Sequence, residues 1–188
     1  MKENIDRVDF FAYNRYMEKI NEKLVWTARI LLTIACAFAV GFILYNSIQT
    51  AVESARQSSR VVEVVQKVVA SVAPNSPIVT ATGSAYERLH AVVRTLAHFS
   101  EYALLGALAG WCYRSYTDKK LWLGVAGGGV ALMAVLDEFL QTFSAGRGTQ
   151  FTDMLVDICG GGVGIAFALF TVWLVGKMIR KRRAYETR

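Results

Sequence analysis

The chain has 188 residues, of which 54% are hydrophobic and only 19% charged, with a net charge of +6 and a mean hydropathy of +0.32. That length is one domain's worth of chain, and that composition excludes an ordinary soluble globule in favour of a membrane protein. The basic excess would suit a nucleic-acid partner, but the positions of the Lys and Arg residues, taken below, exclude nucleic acid.

In chain order, residues 1–23 are charged and aromatic, with Phe10, Phe11, Tyr13 and Tyr16 between charges, as in an amphipathic cytoplasmic segment lying along a membrane surface. Residues 24–45 form the first predicted span, long enough to cross a bilayer. Arg29 near its start is expected to snorkel to the headgroups, and Trp26 and Tyr45 fit the aromatic belts. That apolar run begins late and lacks a small-residue cleavage site, so no cleavable signal peptide is expected.

Residues 46–93 are too polar to span and are expected outside the membrane. Within them, residues 51–72 carry Val62, Val65, Val69 and Val72 on one helical stripe, opposite Glu53, Arg56, Arg60, Glu63 and Lys67. This is an extracytoplasmic amphipathic helix, lying on the outer surface or leaning on the bundle. Pro74, Asn75, Ser76 and Pro77 end it, and a new helix begins near Ala85. That helix leads into a second span at 94–116, followed by a basic loop at 114–120, a third span at 121–143, a fourth at 153–176 and a basic tail at 177–188. The fold class is therefore all-α, a single polytopic domain with four transmembrane helices. Cys36, Cys112 and Cys159 fall in apolar runs without CxxC spacing, and are expected as buried thiols rather than disulfides.

Charge sets the orientation. Fifteen Lys and Arg residues fall in the N-terminal segment through Arg29, the 114–120 loop and the tail, and only six in 46–97 and 144–152. The positive-inside rule then places both termini in the cytoplasm of a multi-pass plasma-membrane protein. With that topology, His98 and Glu101 lie in the outer part of the second span. Asp137, Glu138 and Gln141 lie at the outer end of the third, and Asp153 and Asp157 in the outer part of the fourth, below Arg147 in the loop. An ionised side chain at the bilayer centre costs about 2.5–3.5 kcal/mol on insertion scales, so such residues are usually paired and often functional. Three spans bring polar groups to one level, and one outward-opening cleft is expected. Small-xxx-small pairs at Gly106/Gly110, Gly124/Gly128 and Gly160/Gly164 are expected to press the helices together beneath it.

Two motifs stand out: His98-Phe-x-Glu101-Tyr102-x-x-Leu-Gly106, and Asp137-Glu138-x-x-Gln141-x-Phe-x-x-Gly146-Arg147 followed by Asp153-x-x-x-Asp157-x-x-Gly160. In order, spacing and polar identity they resemble the VanZ-like family over residues 30–175. Members of that family often carry Lys three residues before the His; this chain has Thr95 there, with Arg94 beside it. The resemblance implies a bacterial membrane protein linked to teicoplanin, other glycopeptides or lipoglycopeptides, and to antibiotic resistance, but no agreed reaction.

The residues themselves leave the mechanism open. As an enzyme at the outer leaflet, the chain would use His98, Glu101, Asp137, Glu138 and Asp157 for acid–base chemistry. Alternatively His98, Asp137, Glu138, Asp153 and Asp157 could gather a divalent cation. Arg94, Tyr102, Gln141, Arg147 and Asp153 would bind the substrate, an envelope precursor, lipid or glycopeptide. There is no GxSxG nucleophile and no two-histidine lipid-phosphatase signature. The alternatives are a non-catalytic membrane protein that binds such a ligand or relays protons or ions, and a polar core that only joins helices.

Overall fold

The structure is a computed structural model that describes the backbone of residues 2–117, 119 and 121–186, with side chains over 22–117, 119, 123–178 and 181. Five helices follow one another: α1 (Lys2–Ser47), α2 (Ala51–Val72), α3 (Gly83–Tyr116), α4 (Leu121–Gln141) and α5 (Phe151–Glu186). No strand occurs among the described residues. Three stretches are long and apolar enough to cross a membrane: Glu22–Ser47, Leu123–Gln141 and Phe151–Met178. The fourth expected span, in α3, is diluted by Arg94, His98 and Glu101. Large apolar side chains cover the outside of these helices, among them Phe38, Leu132, Phe139, Phe167 and Trp173. Such a surface suits lipid rather than water.

Several boundaries differ from expectation. The backbone of 2–23 continues α1 without a break; the amphipathic pattern expected there concerns side chains outside the described residues. Helix α3, by contrast, starts at Gly83, within two residues of the start expected near Ala85. Helix α5 runs on to Glu186 through what was expected as a tail. Polar and basic residues are compatible with helix once they stand beyond an apolar span, so hydropathy marks the membrane boundary and not the helix end.

The α1–α2 turn is closed by a capping box. Thr50 Oγ1 accepts from the Glu53 N–H at 3.3 Å, and Glu53 Oε2 accepts from the Thr50 N–H at 2.9 Å. The bond from the Thr50 backbone holds the Glu53 carboxyl below the ordinary glutamate range. In α2, Val62 is buried and Val65 and Val69 half-buried, whereas Val72, at the last position of the helix, is exposed. Its charged stripe faces outward throughout.

Helices α3 and α5 share the most extensive interface. Its closeness comes from glycine. A Cβ at Gly160 would strike the Phe99 carbonyl, one at Gly106 the Gly161 carbonyl, and one at Gly164 the Ala103 carbonyl and the Ala107 N–H. The third expected pair does not take part: nothing lies within 4 Å of a Cβ at Gly124 or Gly128, which face outward. Helix α4 packs instead through Val130, Ala134 and Asp137.

Helix α1 lies antiparallel to α3. At one end the Arg29 Nε–H donates to the Ser115 carbonyl at 2.8 Å, and at the other the Asn46 amide donates to Glu101 Oε1 at 3.1 Å. Arg29 is thus held by protein groups at this end of α1. Its guanidinium lies between Trp26 and Tyr116, 5.1 and 5.2 Å from the ring centres, and satisfies a carbonyl at the C-terminal end of α3. Cys36 and Cys112 are free and half-buried, while Cys159 is free and exposed on the outer face of α5, contrary to the expectation that all three are buried.

Candidate polar site at one end of the bundle

The C-terminal ends of α1 and α4, the first half of the apolar part of α3, and the start of α5 meet at one end of the bundle. The loop between α4 and α5 closes over them. Gly146 takes a φ of +77°, a left-handed conformation that suits glycine, and turns the chain back. The Ser144 hydroxyl then donates to the Ser47 carbonyl at 2.9 Å, and Arg147 Nη1 to the Asn46 carbonyl at 3.2 Å. The loop is thus anchored to the end of α1.

Asp137 is the hub. Its Oδ1 accepts from the Ser47 hydroxyl and from the Gln141 amide at 3.1 Å, and its Oδ2 from the Tyr102 hydroxyl at 3.3 Å. All four residues are buried, Tyr102 completely. The i, i+4 spacing of Asp137 and Gln141 places both on one stripe of α4, as expected. Asp157, one turn after Asp153 in α5, faces the same point. It is 0% exposed, and neither of its oxygens accepts a hydrogen bond. His98 Nδ1 lies 3.7 Å from Asp157 Oδ1, within ion-pair distance but too far for a hydrogen bond, and makes no other hydrogen bond. Ligand atoms from His98, Asp137 and Asp157 fall within 4.8 Å of one another, so these three residues could hold a metal ion.

Around this floor stand two pockets, where a single cleft was expected. One, of ≈ 240 Å³, is lined by Arg94, His98, Gln150 and Asp153, with Glu87 and His90 at its rim. The other, of ≈ 180 Å³, is lined by Arg94, His98, Glu101, Arg147, Asn46 and Gln49. Arg94 and His98 are shared and form the wall between them. Asp137, Gln141 and Asp157 line neither pocket and lie beneath. Glu138, the sequence neighbour of Asp137, turns away: its Oε2 accepts from the Gln150 N–H at 2.8 Å, at the entry to α5. There a carboxylate meets the positive end of the helix dipole. Glu101 faces α1 through Asn46.

The buried side-chain polar atoms that lack a partner among the described residues are Gln49 Oε1, Arg94 Nε, His98 Nδ1, Glu138 Oε1, Arg147 Nε and both Asp157 oxygens. All belong to this one end. A helix-joining polar core would satisfy such groups, because each one left unpaired costs about 1–3 kcal/mol. Burial, and then the nearby positive charge of Arg94, lower the pKa of the Arg147 guanidinium below the ordinary arginine value. Two guanidinium groups facing one space are prepared for an anion.

Sequence reading missed Asn46 and Ser47, which it placed outside the first span. Their signal is an i, i+4 stripe, Ala39–Ile43–Ser47, in which every residue is buried. It also missed the apolar groove on the outside of α1 and α3. This groove is lined by Leu31, Ile34, Phe38, Phe42 and Leu104, with Glu101 at one end, and has a volume of ≈ 470 Å³. Phe42 and Glu101 belong both to the groove and to the smaller polar pocket.

A family model described as VanZ/LLP1 matches residues 32–174. Neither curated proteins nor solved structures gave a match to the chain.

Proposed function

The chain belongs to the VanZ/LLP1 family, and on that premise we propose that this multi-pass membrane protein binds an anionic, lipid-linked precursor of the cell envelope and lowers glycopeptide susceptibility by acting on it. The observation that carries the reading is that the ≈ 470 Å³ apolar groove and the ≈ 180 Å³ polar pocket adjoin, with Phe42 and Glu101 lining both. A lipid-linked ligand needs that pairing: a tail along the lipid-facing groove and a charged head beside Arg94 and Arg147. Size favours the headgroup over the antibiotic. Pockets of ≈ 240 and ≈ 180 Å³ take a phosphate or diphosphate, while drug-sized ligands need roughly 300–1,000 Å³. His98 and Glu101 line the head pocket and are the acid–base groups of this reading. A non-catalytic binder would use the same pockets.

Arg147→Ala tests the binding. In lipid nanodiscs the variant is expected to bind a diphosphate-linked polyprenyl lipid about tenfold or more weakly, since a hydrogen bond to a charged group contributes about 1.5–3 kcal/mol. Arg60→Ala, on the exposed charged face of α2, should bind as wild type. Equal binding by all three proteins would refute the reading. In cells, Glu101→Gln and His98→Ala should restore glycopeptide susceptibility at normal membrane levels.

We also propose four spans, with both termini in the cytoplasm of a bacterium and the site on the outer side. The contacts Arg29–Ser115 and Asn46–Glu101 pair residues 29–46 of α1 with 101–115 of α3. At 1.5 Å per residue they cover about 20–25 Å of the same depth, so α3 crosses with α1. The split of basic residues supplies the direction. In a chain with its three cysteines changed to Ser, a reagent that cannot cross the membrane should label Glu63→Cys and spare Lys119→Cys in intact cells. The opposite pattern would invert the topology.

A further inference from the structure

We infer that His98, Asp137 and Asp157 form a binding site for one first-row divalent metal ion, set beneath the two pockets. The inference rests on side-chain geometry, and stands whether or not the ligand above is a lipid-linked precursor.

Three observations carry it. Asp157 is 0% exposed and makes no hydrogen bond with either oxygen, in a structure that pairs its neighbour Asp137 with three donors. Such a carboxylate is costly to bury unless a cation meets it. His98 Nδ1 likewise makes no hydrogen bond, and faces Asp157 Oδ1 across 3.7 Å, within reach only of a loose ion pair. Two ligands about 2.1 Å from a tetrahedral ion stand about 3.4 Å apart. The observed gap is therefore close to what two ligands of one ion require, and too wide for a hydrogen bond. Finally, two carboxylates with ligand atoms in one cluster repel each other, and a dication between them turns that repulsion into attraction.

The two acids differ in preparation. Ser47, Tyr102 and Gln141 orient Asp137 as outer-shell donors. Asp157 has no such restraint and can close a few tenths of an ångström onto an ion. The donor set, one imidazole and two carboxylates, identifies the metal. Ca2+ asks for about 6–8 oxygens and Mg2+ for a near-ideal octahedron, whereas three protein ligands of mixed N and O with open positions suit Zn2+ or Mn2+. His98 lines both pockets, so an open coordination position is reachable from either. An anionic oxygen entering beside Arg94 would complete the shell.

Mn2+ is the probe, because it avoids the thiols of Cys36, Cys112 and Cys159. Untagged, metal-stripped protein in detergent is titrated with Mn2+ and followed by electron paramagnetic resonance. The expected result is one Mn2+ per chain, displaced by Zn2+, with nitrogen modulation from an imidazole ligand. His98→Gln should abolish that modulation. Asp157→Asn should weaken binding by about tenfold or more, at least the loss caused by removing an outer-shell partner. Cys159→Ser should change nothing. Folded wild-type protein that takes up no stoichiometric Mn2+ at millimolar concentration overturns the site. So does an ion whose imidazole signal survives His98→Gln. Because wild-type binding is itself a test, a variant that fails to fold leaves the result decisive. Metal uptake is read without lipid or antibiotic, so it can fail while the proposed function stands, or succeed while that function fails.

Discussion

Gly164→Leu is expected to remove most folded protein from the membrane. A first side-chain carbon at this position already meets the Ala103 carbonyl and the Ala107 N–H of α3, so even alanine forces two backbones apart. Leucine adds three more carbons at a seam that α3 and α5 share along its length. Overpacking an ordinary core costs about 1–3 kcal/mol, occasionally more. Here the obstacle is helix backbone, which cannot adopt another rotamer, so a loss above about 3 kcal/mol is expected by that scale. Detergent-extracted protein should elute as aggregate, and its membrane level should fall several-fold. Gly128→Leu is the control: nothing lies within 4 Å of its Cβ, and the residue is exposed. It should express and elute as wild type. A well-behaved Gly164→Leu protein would mean that α3 and α5 do not meet through this glycine.

The second large effect is expected at Asp137. Asp137→Ala removes the acceptor shared by Ser47, Tyr102 and Gln141, and strands at least two buried donors, since only Ser47 has a second acceptor, the Ile43 carbonyl at 2.7 Å. At about 1–3 kcal/mol for each unpaired group, a loss on the order of 3 kcal/mol follows. It should appear as a lower midpoint of thermal unfolding in detergent. Asp137→Asn keeps the shape and one acceptor oxygen, but turns an amide toward donors, and should recover part of that stability. Neither variant should retain function, because the carboxylate ties α1, α3 and α4 together beneath the two pockets. Full stability in Asp137→Ala would show that the three donors have other partners, and would demote the residue from hub to bystander.

Much of this protein follows from one-dimensional physics. By length and apolar run, 22–47, 123–141 and 151–178 could cross a membrane, within a few residues of the expected first, third and fourth spans, because the thickness of a bilayer is a length that a helix must match. The clustering of His98, Glu101, Asp137, Asp153 and Asp157 at one end of the bundle also follows from chain order, since successive helices reverse direction. Helical spacing alone puts Asp137 and Gln141 on one stripe.

Which acids meet was decided only by packing. Asp137 and Glu138 are adjacent in sequence, yet about 100° apart around the helix. The rotation of α4 turns the first toward Tyr102 and Ser47 and the second toward the start of α5. Nothing in the sequence of α4 states that rotation; Val130 and Ala134, packed against α1, α3 and α5, set it. The glycines teach the same lesson. Gly124/Gly128 and Gly160/Gly164 share one spacing, but only the second pair faces a neighbouring backbone. A residue without a side chain permits close approach and does not say from which side it comes. Asn46 and Ser47 were hidden for a related reason. Hydropathy reports where a chain leaves the apolar layer, whereas their partners lie on later helices, Glu101 on α3 and Asp137 on α4, 55 and 90 residues further on.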